Sequence, residues 1–136
     1  MGTWAHNAFG NDTAADWAFG LEECADLSLV ESTFDKVLKP ENELLEASDA
    51  EEGLAAAEVI ARLQGHWGER DPFTEPVDNW VEKVKLKPSK ALAQKAHRVI
   101  ERILREPSEI LESWEGGENF EAWKKCVQEL KARIDL

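Results

Sequence analysis

The sequence predicts an all-α fold: a compact bundle of six to seven short helices around an alanine-rich central helix, with an extended N-terminal arm docked against it. Three observations carry this prediction. The segment Leu54-Ala55-Ala56-Ala57-Glu58-Val59-Ile60-Ala61-Arg62-Leu63 is apolar around most of a helical wheel, the pattern of a helix packed by neighbours on nearly every side. Phe120, Trp123, Val127, Leu130 and Ile134 recur at alternating steps of three and four, the stripe of an amphipathic helix. Ser28-Leu29-Val30-Glu31 and Ser48-Asp49-Ala50-Glu51 both read as capping boxes, in which serine and glutamate satisfy each other's orphan amides.

Each element follows from local chemistry. Residues 1–10 read as the arm, because Trp4 and Phe9 are too apolar to be left in water. A first helix is expected from Asn11–Thr13, all good N-cap types, to about Ala25, burying Trp17 and Leu21, with Ala14 and Cys24 near them at helical spacing. The second opens at Ser28, carries Val30, Phe34, Val37 and Leu38, and stops before Pro40. After a weak segment at 41–47, the central helix opens at Ser48 and ends at Gly65, with a narrow polar strip of Glu51, Glu58 and Arg62. Residues 65–79 are the longest irregular stretch, punctuated by glycine and proline and pinned by Trp67 and Phe73. Asp78 is expected to cap a short helix bearing Trp80, Val81 and Val84; the alternation at 84–87 also fits a short edge strand before Pro88. Leu92, Ala96, Val99, Ile100, Ile103 and Leu104 mark a helix over Ser89–Arg105. Pro107 is placed to start another, with Ile110, Leu111 and Trp114 on one face, ended by Gly116-Gly117. Asn119 caps the last.

The 136 residues are expected to form a single domain spanning 1–136, long enough for a core of its own. With 43% hydrophobic and 32% charged residues the balance is that of a soluble protein. No apolar run approaches the roughly 18 residues that would span a membrane. The start has neither the basic-then-apolar pattern of a signal peptide nor the Ser or Thr that myristoylation wants where His6 stands. Cys24 and Cys126 fit no metal spacing and are expected to be reduced thiols of a cytoplasmic protein.

Charge is unevenly distributed. Residues 1–61 hold Lys36 and Lys39 against fourteen Asp and Glu, which accounts for the whole net charge of −12. Residues 83–105 hold Lys83, Lys85, Lys87, Lys90, Lys95, Arg98, Arg102 and Arg105 against Glu101 alone. An acidic front suits a basic protein partner and would steer its approach. The basic stripe is a poor nucleic-acid site, since the protein is acidic overall and only Trp80 lies nearby to stack on bases.

The opening Met1-Gly2-Thr3-Trp4, followed by Phe9, Asn11-Asp12, Ala14 and Asp16-Trp17, resembles the bacterial family of domains of unknown function numbered 4259. Its members begin Met-Gly-x-Trp-Gly-x-x-x-Phe-x-Asn-Asp-x-Ala-x-Asp-Trp/Phe. The resemblance continues through Ala55-Ala56-Ala57-Glu58-Val59-Ile60-Ala61, through Pro107-Ser108-Glu109-Ile110-Leu111-Glu112-Ser113-Trp114, and through the closing helix from Trp123 to Ile134. The chain departs from the pattern at Ala5, where the family has glycine. The resemblance implies a fold and a compartment; it supplies no chemistry.

Candidate sites are therefore weighed on residue chemistry. Glu58 and Arg62, four apart on the central helix, read as a structural ion pair, because a buried carboxylate must be paired. Asn11, Asp12 and Asp16 read as capping and helix-dipole residues. The leading functional expectation is a non-enzymatic cytoplasmic interaction module, immunity- or inhibitor-like, in which Glu41, Glu43, Glu46, Asp49, Glu51 and Glu52 meet a basic partner and Trp67 supplies an aromatic anchor. No cofactor and no catalytic residue is expected. The alternative is a small metal- or metabolite-binding enzyme centred on His6, Asp12, Asp16 and Glu58, with His6, Asp12 and Asp16 as metal ligands. A homo-oligomer joining the acidic front to the basic stripe is the remaining partner reading.

Overall fold

The structure is a computed structural model and describes residues 11–136. The expected arm, with Gly2, Trp4, His6 and Phe9, lies outside the described residues. Among them the chain forms seven helices: α1 (Asp12–Glu22), α2 (Ser28–Leu38), α3 (Ala47–Leu63), α4 (Glu75–Val84), α5 (Lys90–Ile103), α6 (Glu109–Glu115) and α7 (Phe120–Arg133). The fold is all-α, as the periodicity predicts.

α3 is the central helix and packs against all six others. Its alanines keep the side-chain layer thin, so neighbouring helices approach closely. Gly53 carries this furthest: a Cβ there would stand 2.8 Å from Val37 Cγ2 of α2 and 3.2 Å from Val99 Cγ1 of α5. Burying Leu21, Val30, Phe34, Ile60, Ile100 and Ile103 against this axis builds the core. Each such side chain contributes about 1.5–3 kcal/mol.

The helix ends depart from the sequence reading in instructive ways. Asn11 caps α1 as expected, its Oδ1 accepting from Ala14 N at 2.7 Å, and Ser89 caps α5 by accepting from Leu92 N. Neither expected capping box forms. Ser28 stands inside α2, and its amide and hydroxyl donate to Asp26 instead. Ser48 lies inside α3, which begins at Ala47; the Ala47 amide donates to Glu109 of α6 at 2.7 Å. A tertiary neighbour replaces the local cap there.

Asp78 likewise does not cap α4. That helix starts at Glu75, and Asp78 is buried on its inner face. Val84 ends α4, and Lys85 adopts a left-handed conformation (φ 51), so residues 84–87 form no strand. Pro107 precedes the N-cap Ser108 of α6 instead of starting the helix. Its carbonyl accepts from Leu45 N, and Leu45 and Ser108 make an isolated parallel bridge that ties the 39–46 loop to α6. Asn119 occupies the N-cap position of α7, but its side chain makes no capping bond.

Candidate functional site

Two arrangements concentrate the polar chemistry: a buried ion network against α3, and an acidic groove at the α2–α3 connection.

The network starts from the polar strip of α3. Arg62, with a side chain only 1% exposed, donates through Nη1 to Glu58, through Nε to Asp78 Oδ1 at 2.7 Å and through Nη2 to the Glu69 carbonyl at 2.7 Å. Glu58 also receives a two-pronged bond from Arg133 at the end of α7, with both Nη atoms at 2.8 Å from its oxygens. Asp78 accepts from the Thr74 hydroxyl at 2.6 Å and faces Arg70 at 3.4 Å. Burial works against the charge of Arg133, but its bonds to Glu58 and Glu129 outweigh that and raise its pKa. Each guanidinium of the network thus faces at least one carboxylate.

The network organises the irregular 65–74 segment. Arg62 and Arg133 hold its carbonyls at Glu69 and His66, while Arg70 lies 4.3 Å over the Trp67 ring. Trp67 is half-buried and pins the loop as expected; Phe73, read as a second pin, is 48% exposed. The Glu58–Arg62 pair forms as the sequence reading anticipates. Asp78, Arg70 and Arg133 were not legible as its partners, because they are distant in sequence and only Asp78 had an assigned role, as a cap.

The acidic groove has a volume of about 670 Å³ and lies where α2 ends and α3 begins. Glu41, Glu43, Glu46 and Asp49 line it together with Lys36, Lys39 and the half-exposed Leu44. Lys36 reaches Glu52 at 2.8 Å and Asp49 at 3.6 Å; the Glu52 bond, against some desolvation, raises the pKa of the lysine. Glu41, Glu43 and Glu46 are exposed, and none has an ion-pair partner among the described residues. Glu51 and Glu52 lie half-buried further along α3, outside the groove lining.

The connecting loop takes its shape from the basic stripe. Arg102 is 4% exposed and has no carboxylate partner among the described residues; burial first, and Arg105 second, lower its pKa. It donates to the carbonyls of Glu43, Pro40, Pro107 and Arg105, and Arg105 donates to the Glu41 carbonyl at 2.9 Å. With their carbonyls held inward, these residues leave their carboxylates at the surface. Lys95 pairs with Asp35 at 2.6 Å. Part of the basic stripe is thus spent on the acidic half of the same chain.

The remaining sequence candidates are dispersed. Asp12 and Asp16 are exposed on α1, and Asn11 is a buried cap. Trp17 is buried and donates to Thr33 Oγ1 at 2.9 Å. Trp114 stacks on Trp123 at 5.8 Å. Among the described residues no group of three or more His, Cys, Asp or Glu is arranged to hold a metal ion. His6, the third ligand of that reading, lies outside them. Cys24 and Cys126 are free. Among the described residues no helix is long and apolar enough to cross a membrane.

The family pattern described as a domain of unknown function (DUF4259) matches residues 2–126, nearly the whole chain, and the protein belongs to that family. No curated protein and no solved structure matches it.

Proposed function

We propose that this family member is a non-enzymatic cytoplasmic interaction module, immunity- or inhibitor-like, that receives a basic protein segment in the groove between α2 and α3. The observation that carries the reading is the set of three carboxylates, Glu41, Glu43 and Glu46, without an ion-pair partner among the described residues, around the half-exposed Leu44 on a loop held from behind by Arg102 and Arg105. A pre-shaped loop loses little conformational entropy on binding. Its charges would speed encounter with a cationic partner, and Leu44 offers a small apolar centre to a rim of charge. The free cysteines and the lack of a membrane-crossing helix among the described residues fit a reducing, aqueous compartment.

The test is capture on the tagged protein from bacterial lysate at low and high salt, beside a Glu41→Lys/Glu43→Lys/Glu46→Lys variant. A stoichiometric basic partner, lost at high salt and lost from the variant while its melting temperature stays unchanged, is the expected result. A partner held equally well by the variant, or none at low salt, overturns the reading.

A further inference from the structure

A second cleft, remote in chemistry from the acidic groove, opens between the end of α3, the 65–74 loop and the turn after α4. Its volume is about 510 Å³, inside the range of roughly 300–1,000 Å³ typical of small-molecule sites. Leu63, Trp67, Val81 and Leu86 supply the apolar lining, and Lys85 and Lys87 line it as well. The one carboxylate in the lining, Glu82, is taken by Arg70 at 2.8 Å. Both lysines are exposed, and neither ammonium has an ion-pair or hydrogen-bond partner among the described residues. In a chain of net charge −12, this apolar recess carries only cations that are unspent.

Lys85 adds an independent observation. It is the only non-glycine residue with positive φ among the described residues, at 51°. A side-chain-bearing residue pays for that conformation with local strain. The left-handed turn ends α4, and Leu86 and Lys87 just beyond it line the same cleft as Trp67. Glycine would make the same turn without strain, yet the position holds a cation.

We propose that this cleft binds a small amphipathic carboxylate. Its aromatic or aliphatic body would lie on Leu63, Trp67, Val81 and Leu86, and its anionic end would reach Lys85 and Lys87. Arg70, stacked on Trp67 and bonded to Glu82, keeps the indole in place and removes the competing negative charge.

The experiment is titration of the whole protein with 2-naphthoate and with its neutral amide, read by amide and indole NMR shifts and by calorimetry. Shifts confined to residues 63–67 and 81–88, with the acid binding at least about tenfold more tightly than the amide, are expected. The variant Lys85→Gly/Lys87→Ser should abolish that preference for the acid while keeping its fold, since glycine suits the backbone at 85. Equal binding of acid and amide, shifts elsewhere, or no binding overturns the proposal. So does binding there only of an acidic aromatic peptide such as acetyl-Glu-Phe-Glu-amide, which would make the cleft a peptide site.

Discussion

Arg62 and Asp78 meet through an Nε–Oδ1 bond of 2.7 Å, with side chains only 1% and 4% exposed. They join the central helix to α4, which presents Trp80 and Val81 to the core. Because the pair is out of water, removing Asp78 leaves Arg62 one carboxylate short, with its buried Nε stripped of the acceptor and only Glu58 facing its charge. Asp78→Ala should therefore cost about 3 kcal/mol and loosen the 65–74 loop that Thr74 and Arg70 hold through the same carboxylate. Urea denaturation checks the first effect and hydrogen exchange of residues 66–74 the second. A variant as stable as the parent would show that the network is not a structural anchor.

Two glycines should respond to alanine with opposite signs. Gly53→Ala places a Cβ 2.8 Å from Val37, a stiff β-branched side chain that is itself fully buried. The overpacking should cost about 1–3 kcal/mol, more than the gain in helix propensity. Gly20→Ala, inside α1, meets nothing within 4 Å among the described residues, so it should stabilise by up to about 1 kcal/mol. Thermal melts of the two variants decide the matter.

Thr33→Val keeps the shape of a buried side chain and removes the acceptor of the Trp17 indole N–H. Leaving that donor unpaired should cost about 1–3 kcal/mol. Tryptophan fluorescence during denaturation should show a lower midpoint, whereas an unchanged midpoint would mean that the indole finds another acceptor.

Cys126 has its thiol pKa raised, first by burial and then by Glu129, Glu69 and Glu58. The folded protein therefore retains this proton at pH values where the unfolded chain, near its ordinary 9.0, has lost it. Folding then binds a proton, so stability falls as pH rises through that value. Cys126→Ser should flatten the alkaline part of the stability profile, as measured by melting temperature at pH 8 and pH 10. Parallel profiles for variant and parent would contradict this.

The periodicity of apolar residues was enough to read the helices, since an amphipathic or all-apolar stripe states which faces must leave water. The central place of α3 follows from the same logic: a helix apolar all round can only be surrounded. The Glu58–Arg62 pair was legible because both lie one turn apart on that helix. The acidic groove was legible as composition, in Glu41, Glu43, Glu46 and Asp49, but not as a concave surface.

Element type and core faces follow from local sequence, because they depend on residues within a turn or two of one another, and the acidity of residues 1–61 follows from composition. Tertiary structure alone decided the rest. It replaced the serine cap of α3 with Glu109, turned Asp78 from a cap into the buried partner of Arg62, and brought Arg133 onto Glu58 from 75 residues away. It also sent Arg102 inward to shape the acidic loop and brought Lys85 and Lys87 to the cleft that Trp67 lines. A buried charge takes whichever partner the packing of helices brings within reach, and that distance is set by the whole core and not by neighbours along the chain.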